Sequence, residues 1–238
     1  MASGRVNDNY VRSASWALVL DMDGVIVDTE PLYIRVDALV CRELGVDVEE
    51  AAFERCVGQR APEMWAELRE RFDLPATVDE LLARAAALHR EAVEAGESSP
   101  PVPGALELIR DLHRRRIPVA VASSTPAAAV DRALDRVGVR GLITARVGGD
   151  QVLRAKPDPE IYLRAAGEIG LPPARCVAIE DSVPGVASAR AAGMACVGLR
   201  NPRYESLDLS HATVVVESLV GLDAERLAQL VPPRGPDD

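Results

Sequence analysis

Lysine is nearly missing from this sequence. Of 27 basic residues, 26 are arginine and Lys156 is the single exception. Basic charge is short altogether: 37 acidic residues bring the formal net charge to −10. That balance excludes the broad basic surface on which nucleic-acid or anionic-membrane binding depends. Long apolar runs are also missing, and no uncharged stretch approaches the roughly 18 residues of a membrane-spanning helix. Met1 to Ser13 is polar, without a basic-then-apolar leader, so a cytoplasmic location is expected. The four cysteines (Cys41, Cys56, Cys176 and Cys196) form no CxxC pair and lie in apolar contexts. Buried free thiols are expected there, not metal ligands or disulfides. No pair among His89, His113 and His211 has ligand spacing, and no internal repeat is visible.

What is present is globular. The chain has 238 residues, 48% hydrophobic and 27% charged, enough to bury a core without covalent staples. From Trp16 onward, short apolar runs alternate with helical stretches, the pattern of parallel strands joined by crossover helices. Strands are expected at 16–20, 118–122, 142–147, 176–179, 195–198 and 213–216. Several are continuously apolar, as strands covered on both faces should be. The expected class is therefore α/β, a Rossmann-like three-layer parallel sheet.

Between the first two strands the texture changes. Leu32, Val36, Leu39 and Val40 keep helical spacing, as do Met64, Leu68 and Phe72, and then Leu81, Leu82, Ala85, Leu88 and Ala92. This stretch is too long for an ordinary crossover and reads as an inserted helical cap over 30–97. The core would comprise 14–29 and 98–231, and the tails 1–13 and 232–238 read as disordered. Trp65 and Phe72 read as cap core. Thr125-Pro126 and Asp158-Pro159 each place a capping side chain before a proline at a first helical position. Ser182 with Pro184 is a looser version, and Gly193 closes the helix before it. Arg114-Arg115-Arg116 is expected at a helix end, complementing its dipole.

Four strand ends carry chemistry. Asp21-Met22-Asp23-Gly24 follows the first strand, and residues two apart on an extended chain turn both carboxylates to one side. Gly24 lets the backbone turn away. Ser123-Ser124-Thr125 follows the second strand and puts hydroxyls beside a helix N-terminus, a site for phosphate oxygens. Lys156 offers a compact ammonium that can hold a carboxylate and a phosphate together. Glu180-Asp181 follows the fourth strand and, with Asp21 and Asp23, makes an all-oxygen environment suited to Mg²⁺.

The four motifs in this order resemble the haloacid dehalogenase superfamily, and the resemblance runs from Trp16 to about Leu230. The insert resembles the helical cap of β-phosphoglucomutase and phosphoglycolate-phosphatase relatives. The resemblance implies a Mg²⁺-dependent phosphatase acting on a small phosphorylated metabolite such as a sugar phosphate. Asp21 would form an aspartyl phosphate, with Asp23 as acid and then base. Mg²⁺ would lie on Asp21, the Asp23 carbonyl and Asp181, with Glu180 nearby. Ser123, Ser124, Lys156 and Gly24 would surround the phosphate, and Gln59 and Arg60 of the cap would meet the substrate. Asp23 disfavours a dehalogenase, because a departing halide needs no proton. A sugar phosphomutase is the alternative, but that relative has a histidine where Tyr33 stands and an arginine where Ala61 stands. A phospholigand-binding module without turnover is a more distant alternative, against which the second carboxylate speaks. A monomer is expected.

Overall fold

The computed structural model describes residues 14–56, 61–94, 97, 99–201 and 207–233. In chain order the strands are β1 (Ala17–Leu20), β2 (Val119–Ser123), β3 (Ala145–Gly148), β4 (Cys176–Glu180), β5 (Ala195–Leu199) and β6 (Val214–Val216). They form one parallel sheet in the order β3-β2-β1-β4-β5-β6. All six lie where apolar runs are expected. The third begins later than its run, because 140–142 forms a 3-10 turn first.

The helices are α1 (Glu30–Glu43), α2 (Glu50–Glu54), α3 (Ala61–Phe72), α4 (Val78–Glu94), α5 (Ala105–Arg114), α6 (Ala127–Arg136), α7 (Glu160–Ile169), α8 (Val183–Ala191) and α9 (Ala224–Ala228). The chain divides into two compact units, Asp28–Pro100 and the remainder.

In the α/β unit the period-2 alternation of side chains builds two different faces. Leu18, Leu20, Val119, Val121, Val177 and Ile179 pack one core with α5, α6 and α9. Ala17, Val19, Ala120, Ala122 and Ala178 point the other way, against Ile161, Tyr162 and Ala165 of α7 and Val186 and Ala189 of α8. Alanines on the second face admit the bulkier helix side chains, including a whole tyrosine. Both faces are dry, which is why the strands read as unbroken apolar runs.

The helical unit has its own core, in which Leu32, Val36 and Val40 of α1 meet Trp65 and Leu68 of α3 and Leu81, Ala85 and Leu88 of α4. Phe53 meets Trp65 edge to face at 6.2 Å. Leu39 departs from expectation and is 40% exposed; Ala38 and Cys41 take the buried turn instead. All four cysteines are free and buried. Arg114 ends α5, and both it and Arg115 bond Asp111. Among the described residues no helix is long and apolar enough to cross a membrane.

Candidate active site

The strand order reverses at β1: the chain moves from it to β2 and β3 on one side, then returns to β4 on the other. Open parallel sheets bind ligands at the carboxyl ends beside such a reversal. The register sets Leu20 against Val121 and Ile179. Asp21 therefore emerges at the rim, its N–H donating to Ile179 O at 3.0 Å. Gly24 turns the chain with φ +75°, and a Cβ there would fall 1.8 Å from Asp181 Oδ2. Its missing side chain is the space in which the Asp181 carboxylate sits.

Lys156 enters from the loop before α7. Its Nζ donates to Asp21 Oδ1 at 2.6 Å, Glu180 Oε1 at 2.6 Å and Ala122 O at 3.1 Å. An ammonium has three protons, and all three are committed. The structure gives Lys156 two carboxylates and a carbonyl. A phosphate oxygen can take a proton from Nζ only when one of these partners yields. Burial opposes the charge on Lys156, but Asp21 and Glu180 outweigh it and hold the ammonium above its usual pKa. Burial pushes Asp21 up to about 7; Lys156 pulls it down, and the Glu180 and Asp23 charges push it up again.

Glu180 is fully buried, and both its oxygens are engaged. Oε1 accepts from Lys156 and from Tyr162 Oη at 2.7 Å, while Oε2 accepts from Ser182 Oγ at 2.9 Å. A Cβ on Gly185 would fall 1.9 Å from its carboxyl carbon, so only glycine leaves room for this seat. Ser182 also caps α8, accepting from Gly185 N, as its sequence context suggests. Lys156 Nζ lies 5.2 Å from the Tyr162 ring centroid, and burial, then the Glu180 charge, raises the phenol's pKa well above its ordinary value.

Asp23 Oδ2 accepts from Thr125 Oγ1 at 2.9 Å and Ser123 Oγ at 3.3 Å. This corrects the expected role of Thr125. Pro126 is extended (ψ 141°) and α6 starts only at Ala127, so the threonine hydroxyl lies outside capping reach. The Ala127 N–H is met instead by Asp150 Oδ1 at 2.8 Å. In the second expected cap, Asp158 Oδ1 does accept from Glu160 N at 3.0 Å.

Of the sequence-predicted residues, Asp21, Asp23, Gly24, Ser123, Lys156, Glu180 and Asp181 converge, and Ser124 lies beside them with an exposed side chain. Gln59 and Arg60 lie outside the described residues. Sequence reasoning missed Tyr162 and the true partner of Thr125. A tyrosine on an apolar helix face reads as core, and a threonine before a proline reads as a cap.

Asp21, Glu180 and Asp181 each present a carboxylate oxygen within 4.8 Å of the others. Among the described residues Lys156 is ion-paired with Asp21 and Glu180, and Asp23 adds a fourth carboxylate at the same strand end. A hard, all-oxygen set short of positive charge fits a divalent cation, and the Asp181 seat over Gly24 is where a side chain would obstruct it.

The haloacid dehalogenase-like hydrolase family matches residues 17–193. Hexitol phosphatase B of Escherichia coli O157:H7 is 30% identical over 219 residues, covering 89% of this chain and 96% of its own. The phosphorylated carbohydrates phosphatase of Thermotoga maritima is 33% identical over 179 residues, covering 75% and 82%. The crystal structure of CbbY from Rhodobacter sphaeroides in complex with phosphate superposes with a TM-score of 0.70 at 26% identity, covering 89% of this chain and 98% of that one. Fold, strand-end carboxylates and relatives converge: the chain belongs to the haloacid dehalogenase-like hydrolases.

Proposed function

We propose that this protein is a Mg²⁺-dependent phosphatase that hydrolyses a small phosphorylated carbohydrate or polyol through an aspartyl phosphate on Asp21. One observation carries the reading: Lys156 holds Asp21 by Oδ1, with a second carboxylate, Asp23, two residues on and held by hydroxyls. Oδ2 of Asp21 is then the attacking atom. Its lone pair forms the new O–P bond as the ester P–O bond breaks, and Asp23 delivers a proton to the departing oxygen. In the second half Asp23 takes a proton from water as that water attacks phosphorus, and Asp21 leaves as a carboxylate.

A Mg²⁺ held by Asp21, the Asp23 carbonyl and Asp181 would neutralise the phosphoryl oxygens. Glu180, whose oxygens are engaged elsewhere, contributes charge and keeps Lys156 in place. Ser123, Ser124 and the backbone at Gly24 line the phosphate side. We assign recognition of the rest of the substrate to Gln59 and Arg60 of the helical cap. Tyr33 and Ala61, where a phosphomutase carries histidine and arginine, favour hydrolysis over transfer to a second hydroxyl. In this reading the enzyme is a cytoplasmic monomer without nucleic-acid or membrane partners. The test is a panel of sugar, polyol and sugar-acid phosphates with Mg²⁺, scored for free phosphate and separately for isomerised product. Metal-dependent phosphate release is expected; isomerised product, or no release by folded protein across the panel, overturns the proposal.

A further inference from the structure

Thr125 closes the Ser123-Ser124-Thr125 segment and has no part in the phosphate chemistry above, yet its hydroxyl donates to Asp23 Oδ2 at 2.9 Å, against 3.3 Å for Ser123 Oγ. We propose that Thr125 is a positioning residue that fixes the Asp23 carboxylate by Oδ2, so that the exchanging proton rides on Oδ1 and Ser123 is released to the phosphoryl group. The proposal rests on the acid/base reading of Asp23.

Three features of the loop support it. First, the threonine is not needed as a cap, because Asp150 Oδ1 satisfies the Ala127 N–H. Second, its backbone is clamped from the next strand end: Gly149 N–H donates to Thr125 O at 3.1 Å. That approach needs glycine on the facing segment. A Cβ on Gly148 would fall 2.2 Å from Ala127 N, and one on Gly149 would fall 2.2 Å from Ser124 O. The hydroxyl is thus held by main-chain contacts that owe nothing to Asp23.

Third, the two hydroxyls on Asp23 are unequal. Ser123 Oγ is 3.3 Å from Oδ2 and itself accepts the Thr125 N–H at 3.0 Å. Thr125 Oγ1 is 2.9 Å away. When a phosphate oxygen competes for one hydroxyl, Ser123 gives up the longer bond and Thr125 keeps the shorter. The Thr125 O–H that stays on Oδ2 makes it the accepting oxygen of the acid, which leaves the proton on Oδ1. Oδ1–H therefore goes to the ester oxygen as its bond to phosphorus breaks and Asp21 forms its own. It is recovered from the attacking water in the second half. Protons and charge balance over the cycle, with the threonine hydroxyl keeping its own proton throughout.

The experiment compares Thr125→Val, which keeps the shape and deletes the donor, with Thr125→Ser, which keeps the donor. kcat/KM is measured on an alkyl phosphate the enzyme accepts and on p-nitrophenyl phosphate, whose leaving group needs little protonation. Removing the orientation of a general acid worth about 10²–10⁴ should lower kcat/KM for the alkyl ester about 30-fold. The aryl ester should lose only a few-fold, so the ratio shifts by about tenfold. Thr125→Ser should restore both. Equal losses on both esters would mean a merely structural role, and no loss, or failure of serine to rescue, likewise overturns the proposal. If Asp23→Asn keeps the wild-type ratio between the two esters, the acid/base reading itself fails, which is separable from these results.

Discussion

The two units bury acid groups in opposite ways. In the α/β unit, Asp21 and Glu180 are buried among donors: Lys156 bridges them, Tyr162 and Ser182 complete Glu180, and glycines clear their seats. In the helical unit, Asp37 of α1 is 9% exposed, and burial, then the Glu30 charge, pushes it up to about 7. His89 of α4 stacks on Tyr33 at 3.9 Å, and its buried Nε2 has no hydrogen-bond partner among the described residues. Burial lowers its pKa to about 4. Both acids are pushed up to about 7; the difference is that the Lys156 ammonium pulls against burial at Asp21, whereas at Asp37 burial and the Glu30 charge push the same way.

The sharpest test of the compensated side is Asp21→Asn. Removing the nucleophile should lower turnover by at least about 10⁴-fold, while a thermal melt shows the fold retained. Ordinary activity in this variant would break the comparison at its root. Next comes Lys156→Arg, which conserves charge and changes shape. A forked guanidinium cannot reproduce three short bonds converging on one nitrogen, and kcat/KM should fall about 10²- to 10³-fold. A fall of under about threefold would mean that charge alone suffices.

Gly24→Ala probes the cleared space. The new Cβ would meet Asp181 Oδ2 at 1.8 Å at a backbone φ of +75°, so the carboxylate must move. The Mg²⁺ concentration for half-maximal activity should rise about 10- to 100-fold; an unchanged metal titration would remove Asp181 from the cation site.

Much of this contrast can be read in the chain itself, and the unreadable part has a physical cause. Parallel strands are dry on both faces, so all six appear as apolar runs, and the residues at their ends stand out as the first polar interruption. Asp21 and Glu180 are visible for that reason, and Lys156, well beyond the end of β3, because it is the single lysine of the chain. Tyr162 was not, because its ring belongs to the α7 core and only the hydroxyl touches Glu180. Thr125 was misread because capping and Asp23 compete for one hydroxyl, and the winner depends on where α6 begins. Leu39 fits the apolar spacing of α1 yet is exposed, because a helix surrounded on several sides has no single apolar stripe to which a 3.6-residue period can be fitted.

The smallest expected effect belongs to Asp37. Its pKa is about 7 in the folded protein, against an ordinary value of 3.8. Between those values the folded state holds a proton that the unfolded state has lost, so stability falls as pH rises. The penalty begins near pH 4, grows to pH 7 and is constant above, with a ceiling of about 4 kcal/mol from three units at 1.36 kcal/mol each. Asp37→Asn removes the charge and keeps the shape. It should leave the melting temperature at pH 4 nearly unchanged and raise it by several degrees at pH 8, with activity intact. The opposite sign, a loss at pH 8, would show that Asp37 is held ionised by a compensating partner, and the helical unit would then bury its acids as the α/β unit does.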